Sequence, residues 1–238
     1  MGIGFAVPSA MAWMVMDKII KEGRVIRGYL GVYVQEITPE LARMFNLAEG
    51  TGALVAGVVT KSPAQQAGLQ EGDVIVEMNS KKVTDSRGMR LQIAQAAPNS
   101  TATLKVLRDG KTLNLRTTLG ELETEQFAQA PEPTRTPTRR NEAIQGVEVT
   151  DVDSRARTQL DVPSDLRGAL VSDVERDSAA YSSGLRPGDV ILEVNKQKIR
   201  SAREFSEVSR KTTDRAMLLR VWSRGGSRYL VIEPRRGR

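Results

Sequence analysis

Gly68-Leu-Gln-Glu-Gly-Asp-Val-Ile-Val-Glu-Met-Asn79 recurs further along the chain as Gly184-Leu-Arg-Pro-Gly-Asp-Val-Ile-Leu-Glu-Val-Asn195. Extended without a gap, residues 52–85 and 168–201 are identical at sixteen of 34 positions. The shared landmarks include Gly52-Ala-Leu-Val55 with Gly168-Ala-Leu-Val171. Each stretch reads as a glycine-punctuated turn, a short apolar strand, and an asparagine at the next turn. Two copies of about 95 residues each mean two similar small domains rather than one large one.

Between the copies lies Glu121-Leu-Glu-Thr-Glu-Gln-Phe-Ala-Gln-Ala-Pro-Glu-Pro-Thr-Arg-Thr-Pro-Thr-Arg-Arg140. Prolines alternate there with polar residues, which predicts an extended, semi-rigid linker over 121–143. The expected division is 1–23 as a leading apolar segment, 24–120 and 144–238 as the two copies.

In the first copy, Leu30–Glu36 reads as a strand and Thr38-Pro39-Glu40 as the capped start of a helix running through Phe45. Gly52–Val59 reads as a buried strand, Ser62–Gly68 as one capped helical turn, and Asp73–Met78 as a strand. Asp85 or Ser86 caps a helix to about Ala97, with Met89, Ile93 and Ala96 on one face. Thr101–Arg108 and Thr112–Thr118 form a hairpin about Asp109-Gly110. The sum is an α+β fold: two partly open β-barrels, each with five to six strands and two to three helices.

Composition narrows the chemistry. The chain has no histidine and no cysteine among its 238 residues. That removes a Ser-His-Asp triad, a Cys-His pair, disulfides and His- or Cys-ligated metal sites; carboxylate, Ser-Lys or substrate-assisted chemistry, or none, is left, a binding protein is favoured, and no metal, cofactor or catalytic residue is expected. A Ser-Lys pair such as Lys61 with Ser62 is disfavoured, because sequence neighbours rarely face each other. The net charge of +6 is spread along the chain, and ten aromatics are few for base stacking, so nucleic acid is not expected as a partner. The opening Met1–Met16 stretch is apolar but interrupted by Pro8, lacks a basic leader, and is too short to span a bilayer.

The Gly68–Asn79 and Gly184–Asn195 stretches resemble the core signature of PDZ domains. Arg27-Gly28-Tyr29-Leu30-Gly31-Val32 resembles the carboxylate-binding loop of PDZ domains in Do-like (HtrA-type) envelope serine proteases. Ile3-Gly-Phe-Ala-Val-Pro-Ser9 followed by Ile19-Ile20-Lys21 is similar to the last strand and helix of that family's protease domain, and Thr38–Phe45 to a helical insertion typical of it. The resemblance implies the two-PDZ part of such a protease, with residues 1–23 a remnant of the protease domain and the catalytic residues upstream of Ile3. It implies a periplasmic or envelope location, a peptide-binding and regulatory role without catalysis by this chain, and the parent's protease domain as a partner in an oligomer. A standalone scaffold bridging envelope proteins is the alternative.

PDZ sites add an extended peptide to a sheet edge and hold its C-terminal carboxylate on backbone N–H groups. The expected partners are C-termini or unfolded segments. The carboxylate falls to the amides of Leu30, Gly31 and Val32, with Arg27 and Tyr29 beside them, and the peptide pairs with the strand that contains Val34. Met89 and Ile93 are expected to face the groove, and the resemblance puts Leu41 and Phe45 beside the pocket. In the second copy the loop is Ile144-Gln145-Gly146-Val147, with Phe205 and Val208 on the later helix. Gln145 replaces Leu30 and Ser209 replaces Ile93, so this pocket is expected to be more polar, and the resemblance implies that this copy serves assembly or weak docking.

Overall fold

The computed structural model describes residues 27–47, 52–122, 142–144, 146–212 and 216–233, with Ser9, Trp13, Met16, Ile19 and Ile20; side chains at 142–144 and 212 are excepted. Those five N-terminal positions are helical and exposed, Trp13 at 66% and Ile20 at 74%. The other expectations for residues 1–23, and those for 123–141 of the linker, lie outside the described residues.

The first unit runs β1 (Gly28–Tyr29), β2 (Val32–Gln35), α1 (Pro39–Phe45), β3 (Ala53–Val58), α2 (Pro63–Gln66), β4 (Val74–Met78) and β5 (Lys81–Lys82). It continues through α3 (Ser86–Gln95), β6 (Thr101–Arg108), β7 (Lys111–Thr118) and β8 (Gly120–Glu121). Its main sheet is open, ordered β2-β3-β4-β6-β7 with β5 on β4, and β1 pairs separately with β8. The second unit runs β9 (Glu142–Ile144), β10 (Val147–Asp151), α4 (Ser154–Leu160), β11 (Ala169–Val174), α5 (Ala179–Ser182), β12 (Val190–Val194) and β13 (Gln197–Lys198). It closes with α6 (Ala202–Ser209), β14 (Met217–Ser223) and β15 (Gly226–Ile232). Its order is β15-β14-β12-β11-β10-β9 with β13 on β12, and every pairing in both units is antiparallel. The architecture is therefore α+β with open sheets, as the pattern of elements predicted.

Local chemistry sets the helix ends. Thr38 Oγ1 accepts from the Leu41 amide, Pro39 fills the first helical position, and Asn46 closes α1 in the left-handed region at φ 52°. Asp85 caps α3, accepting from the Gly88 amide at 2.6 Å. That bond, with the Thr84 hydroxyl, holds the Asp85 carboxyl below its ordinary range. The twin asparagines act alike: Asn79 and Asn195 sit at φ 49°, and their Oδ1 atoms accept from the amides of Thr103 at 2.8 Å and Leu218 at 2.9 Å. Each ties the turn after one strand to the start of another.

Strand β3 is buried on both faces. Ala53 and Val55 enter the first unit's core with Leu30, Ile75, Met78, Met89 and Leu104. Leu54 and Ala56 point the other way, into a cluster with Ile37, Leu41, Ala42 and Val74 that Leu218 and Tyr229 of the second unit complete. Continuous rather than alternating apolarity in Ala53–Ala56 follows from that double burial. Phe45 meets Tyr229 edge to face at 5.3 Å. Gln35 clamps the Tyr229 backbone, with Nε2 donating to its carbonyl at 3.2 Å and Oε1 accepting from its amide at 2.6 Å. Arg220 joins Glu193 at 2.7 Å and Glu71 of the first unit at 3.6 Å. In the second unit, Val190, Leu192 and Trp222 are covered on their outer face by Val162, Leu160 and Leu166, around the end of α4.

Leu218 is fully buried between the units. Leu218→Ala is expected to cost about 2–5 kcal/mol, as a truncated core leucine does, lowering the denaturation midpoint of the whole chain. Urea unfolding followed by tryptophan fluorescence and circular dichroism measures it.

Candidate peptide-binding groove

The groove lies between β2 and α3, and its blind end is the loop Tyr29–Val32. Gly31 takes φ +81°, which a side chain rarely adopts, and a Cβ there would lie 2.2 Å from Ser62 Cβ. The loop's carbonyls turn inward: Leu30 O accepts from Ala64 N at 2.9 Å, and Gly31 O from Val59 N at 2.9 Å. Ser62 caps α2 by accepting from Gln65 N, and its Oγ also donates to Gly31 O at 3.3 Å. With the carbonyls held inside, the amides of Leu30 and Gly31 donate to no described residue, so consecutive N–H groups are available to an anion.

Strand β2 is the edge of its sheet, and its outward-facing groups follow from the neighbouring bonds. Val55 donates its N–H to Asp73 O at 2.8 Å and accepts from Gly72 N at 2.9 Å, both on the β4 side. Val34 stands opposite Val55, so that pair is the non-hydrogen-bonded kind, and the N–H and C=O of Val34 turn to the free edge. Val32, two residues back, presents its polar groups the same way. The edge thus offers two donors and two acceptors beyond the loop. At the far end, Arg90 reaches from α3 to Val34 O at 3.2 Å and to Ser86 Oγ at 3.2 Å, while Ser86 Oγ donates to Glu36 at 3.0 Å.

Of the residues singled out from the sequence, Leu30 is buried and Val32 and Val34 are half-buried against the same core. Ile93 lies at the edge of that core, and Met89 is sealed inside it at 0% exposure. Tyr29 is half-buried, and burial, then Tyr33, pushes its phenol up. Arg27 is exposed, and its carbonyl accepts from Leu122 N. Leu41 and Phe45 belong to the cluster shared with the second unit, not to the one that holds Leu30. Gly28 brings β1 against the end of α3, where a Cβ would lie 2.4 Å from Ile93 O. Sequence reasoning singled out neither Ser62 nor Arg90 for the site; Ser62 carried a signal, as a helix cap repeated in both copies.

The second unit differs at this place. Gly146 has φ +78° and its carbonyl accepts from Glu175 N at 2.8 Å, as Gly31 O does from Val59. Yet a Cβ on Gly146 would lie 2.7 Å from the Glu175 carboxylate, a negative charge set against the loop. Strand β9 also pairs with β10, Ile144 opposite Val147 and Glu142 opposite Glu148, on the edge that corresponds to the open edge of β2. Phe205 is fully buried, Val208 is half-buried, and the side chains of Ile144 and Gln145 lie outside the described residues.

An open antiparallel sheet, a glycine loop with inward carbonyls and a helix beside a free strand together make up the site. The PDZ domain profile matches residues 28–119, and a second PDZ domain profile matches 139–215. The chain belongs to the PDZ family and holds two of its domains in tandem. It is 38% identical over 232 residues to a "Probable periplasmic serine endoprotease DegP-like" of Chlamydia trachomatis, covering 98% of this chain and 44% of that protein. It is 33% identical over 234 residues to a protein of the same description from Pseudomonas fulva, covering 98% of this chain and 48% of the relative. The chain thus spans a little under half the length of these relatives. Among solved structures, "HtrA-type protease AlgWS227A with decapeptide" matches with a TM-score of 0.50 and 41% identity, over 54% of this chain and 39% of that one. No helix among the described residues is long and apolar enough to cross a membrane.

Ser62 links the helix cap to the loop. Ser62→Ala is expected to cost about 1 kcal/mol, as lost caps do, and to loosen the backbone around Gly31. Denaturation titrations measure the first effect, and faster hydrogen exchange at the amides of residues 59–62 and 64 the second.

Proposed function

We propose that the first PDZ domain captures the C-terminus, or an exposed extended segment, of another polypeptide as an added strand on β2. The terminal carboxylate is held by the amides of Leu30, Gly31 and Val32, and the last side chain enters beside Leu30 and Ile93. The single observation that most supports this is the pair of inward-turned carbonyls at Leu30 and Gly31, which frees consecutive amides beside an unpaired strand edge. Arg27, exposed beside the loop, adds long-range attraction for an anionic end.

By likeness to its relatives, the chain is the recognition part of a periplasmic serine endoprotease of the HtrA type. It contributes substrate recognition or regulation, and bond cleavage falls to a protease domain outside it. The second domain has another part. Its groove edge is taken by β9, and its β15 docks on the first domain, so it holds the first domain in place and serves the assembly of the parent into an oligomer.

The ligand can carry the test without disturbing the fold. A peptide with an apolar last residue and a free carboxylate is expected to bind the chain at about micromolar Kd, in keeping with a small interface. Its C-terminal amide is expected to bind at least tenfold more weakly. Val34→Pro removes an N–H that β3 does not use, so the fold should persist while peptide affinity falls. Equal binding of acid and amide, measured by fluorescence anisotropy, would overturn the carboxylate assignment.

A further inference from the structure

Tyr33 lies on β2 between Val32 and Val34, stays 39% exposed, and turns away from the core that those two valines join. Its ring is held between two glycines of different domains. Gly57, its partner on β3, has a Cβ position 3.1 Å from Tyr33 Cδ2. Gly226, in the β14–β15 hairpin of the second domain, has a Cβ position that falls within the ring itself. Ser227 closes over Gly57 beside it, its Cβ 3.1 Å from that same Gly57 position. A side chain on Gly226 would evict the ring, so the second domain decides where Tyr33 sits.

Burial, then the Tyr33 phenol, pushes the Tyr29 phenol up, so Tyr33 also stands close to the loop. Open space remains at the hairpin turn, where a Cβ on Gly225 would meet nothing within 4 Å. The matching residue of the second copy is Glu148, so this arrangement belongs to the first groove alone.

The pairing pattern identifies what the ring meets. Val32 and Val34 turn their polar groups to the free edge, so a ligand strand bonds to those two residues. Tyr33 faces the ligand across a non-hydrogen-bonded pair, where opposed side chains come closest. With the carboxylate on the loop, the ligand residue in that place is the penultimate one. Its side chain points away from α3, to the face that carries Tyr33 and the hairpin of the second domain.

We propose that the second domain completes the first domain's ligand site: Gly226 seats the Tyr33 ring, and the ring receives the ligand's penultimate side chain. The exposed side of a fixed aromatic ring favours a flat, apolar partner, and a ring already held loses little rotamer freedom when that partner arrives. The two domains thus share one site, although the second does not offer its own groove to that ligand. This inference rests on the strand-addition reading of the same groove.

The test uses the full chain and two labelled peptides with the same apolar last residue and free carboxylate. They differ only in tryptophan or alanine at the penultimate place. The wild type is expected to bind the tryptophan peptide about fivefold more tightly, the scale of an aromatic pair. That ratio should persist in about 0.5 M salt, since no ion pair is involved. Tyr33→Ala should bring the ratio to within about twofold and leave the alanine peptide's affinity nearly unchanged, and Tyr33→Phe should keep the wild-type ratio. Gly226→Ala, in the other domain, should lower the ratio as Tyr33→Ala does. Gln35→Ala releases the clamp on Tyr229 and should lower it in part, which carries the same comparison if Gly226→Ala does not fold. An unchanged ratio in Tyr33→Ala, with binding that still needs a free carboxylate, overturns the contact. A ratio lost in Tyr33→Ala but kept in the folded Gly226 and Gln35 variants overturns the second domain's part. Failure of both peptides to bind the wild type overturns the groove assignment and this inference with it.

Discussion

A buried aspartate anchors each domain. Asp73 is fully enclosed, and Arg108 grips it through Nε at 2.6 Å and Nη2 at 2.7 Å while the Gln70 amide donates to it at 2.9 Å. Arg108 also donates to Gly68 O, so one guanidinium ties the glycine turn to the far end of β6. A carboxylate buried without such partners would be costly, so the turn, the strand it launches and the arginine form together or not at all. The second domain repeats the device with different parts. Asp189 accepts from Ser223 Oγ at 2.6 Å, Arg228 at 2.8 Å and the Arg186 amide at 3.1 Å. Burial there pushes the Asp189 carboxyl up against those partners.

Because this turn is fixed, β3 can sit between two cores. Gly72 and Asp73 take the polar backbone groups of Val55 on the β4 side, which is what turns Val34 outward on β2. Strand β2, to which the proposed ligand would add, is held on its other face as well: Gln35 binds the Tyr229 backbone, and the Tyr33 ring packs where a Cβ on Gly226 would stand. A strand held in place before a ligand arrives loses little freedom on binding.

Much of this was legible in the sequence, because it rests on local chemistry. The Gly-Asp-Val-Ile repeats, the caps at Thr38, Ser62 and Asp85, and the Asp109-Gly110 turn each involve residues a few positions apart. What escaped involves distant partners. Nothing near Leu41 or Phe45 signals that Tyr229 and Leu218, nearly two hundred residues away, form the other wall of their cluster. Nor does Arg90 announce itself, since an arginine on a helix is usually a solvated one; its meaning depends on the carbonyl it reaches. Helix α4 lies before residue 168, where the gap-free repeat begins, so the comparison of copies did not reveal it.

The pairing of β9 with β10 has a consequence in numbers. A strand joined to its acceptor by a two-residue turn behaves as a ligand present at about millimolar effective concentration. A soluble peptide of equal intrinsic affinity displaces it only when its own concentration approaches that level. The edge that is unpaired in one copy is thus filled by the chain itself in the other, and the two copies differ there by the connectivity of a single short strand.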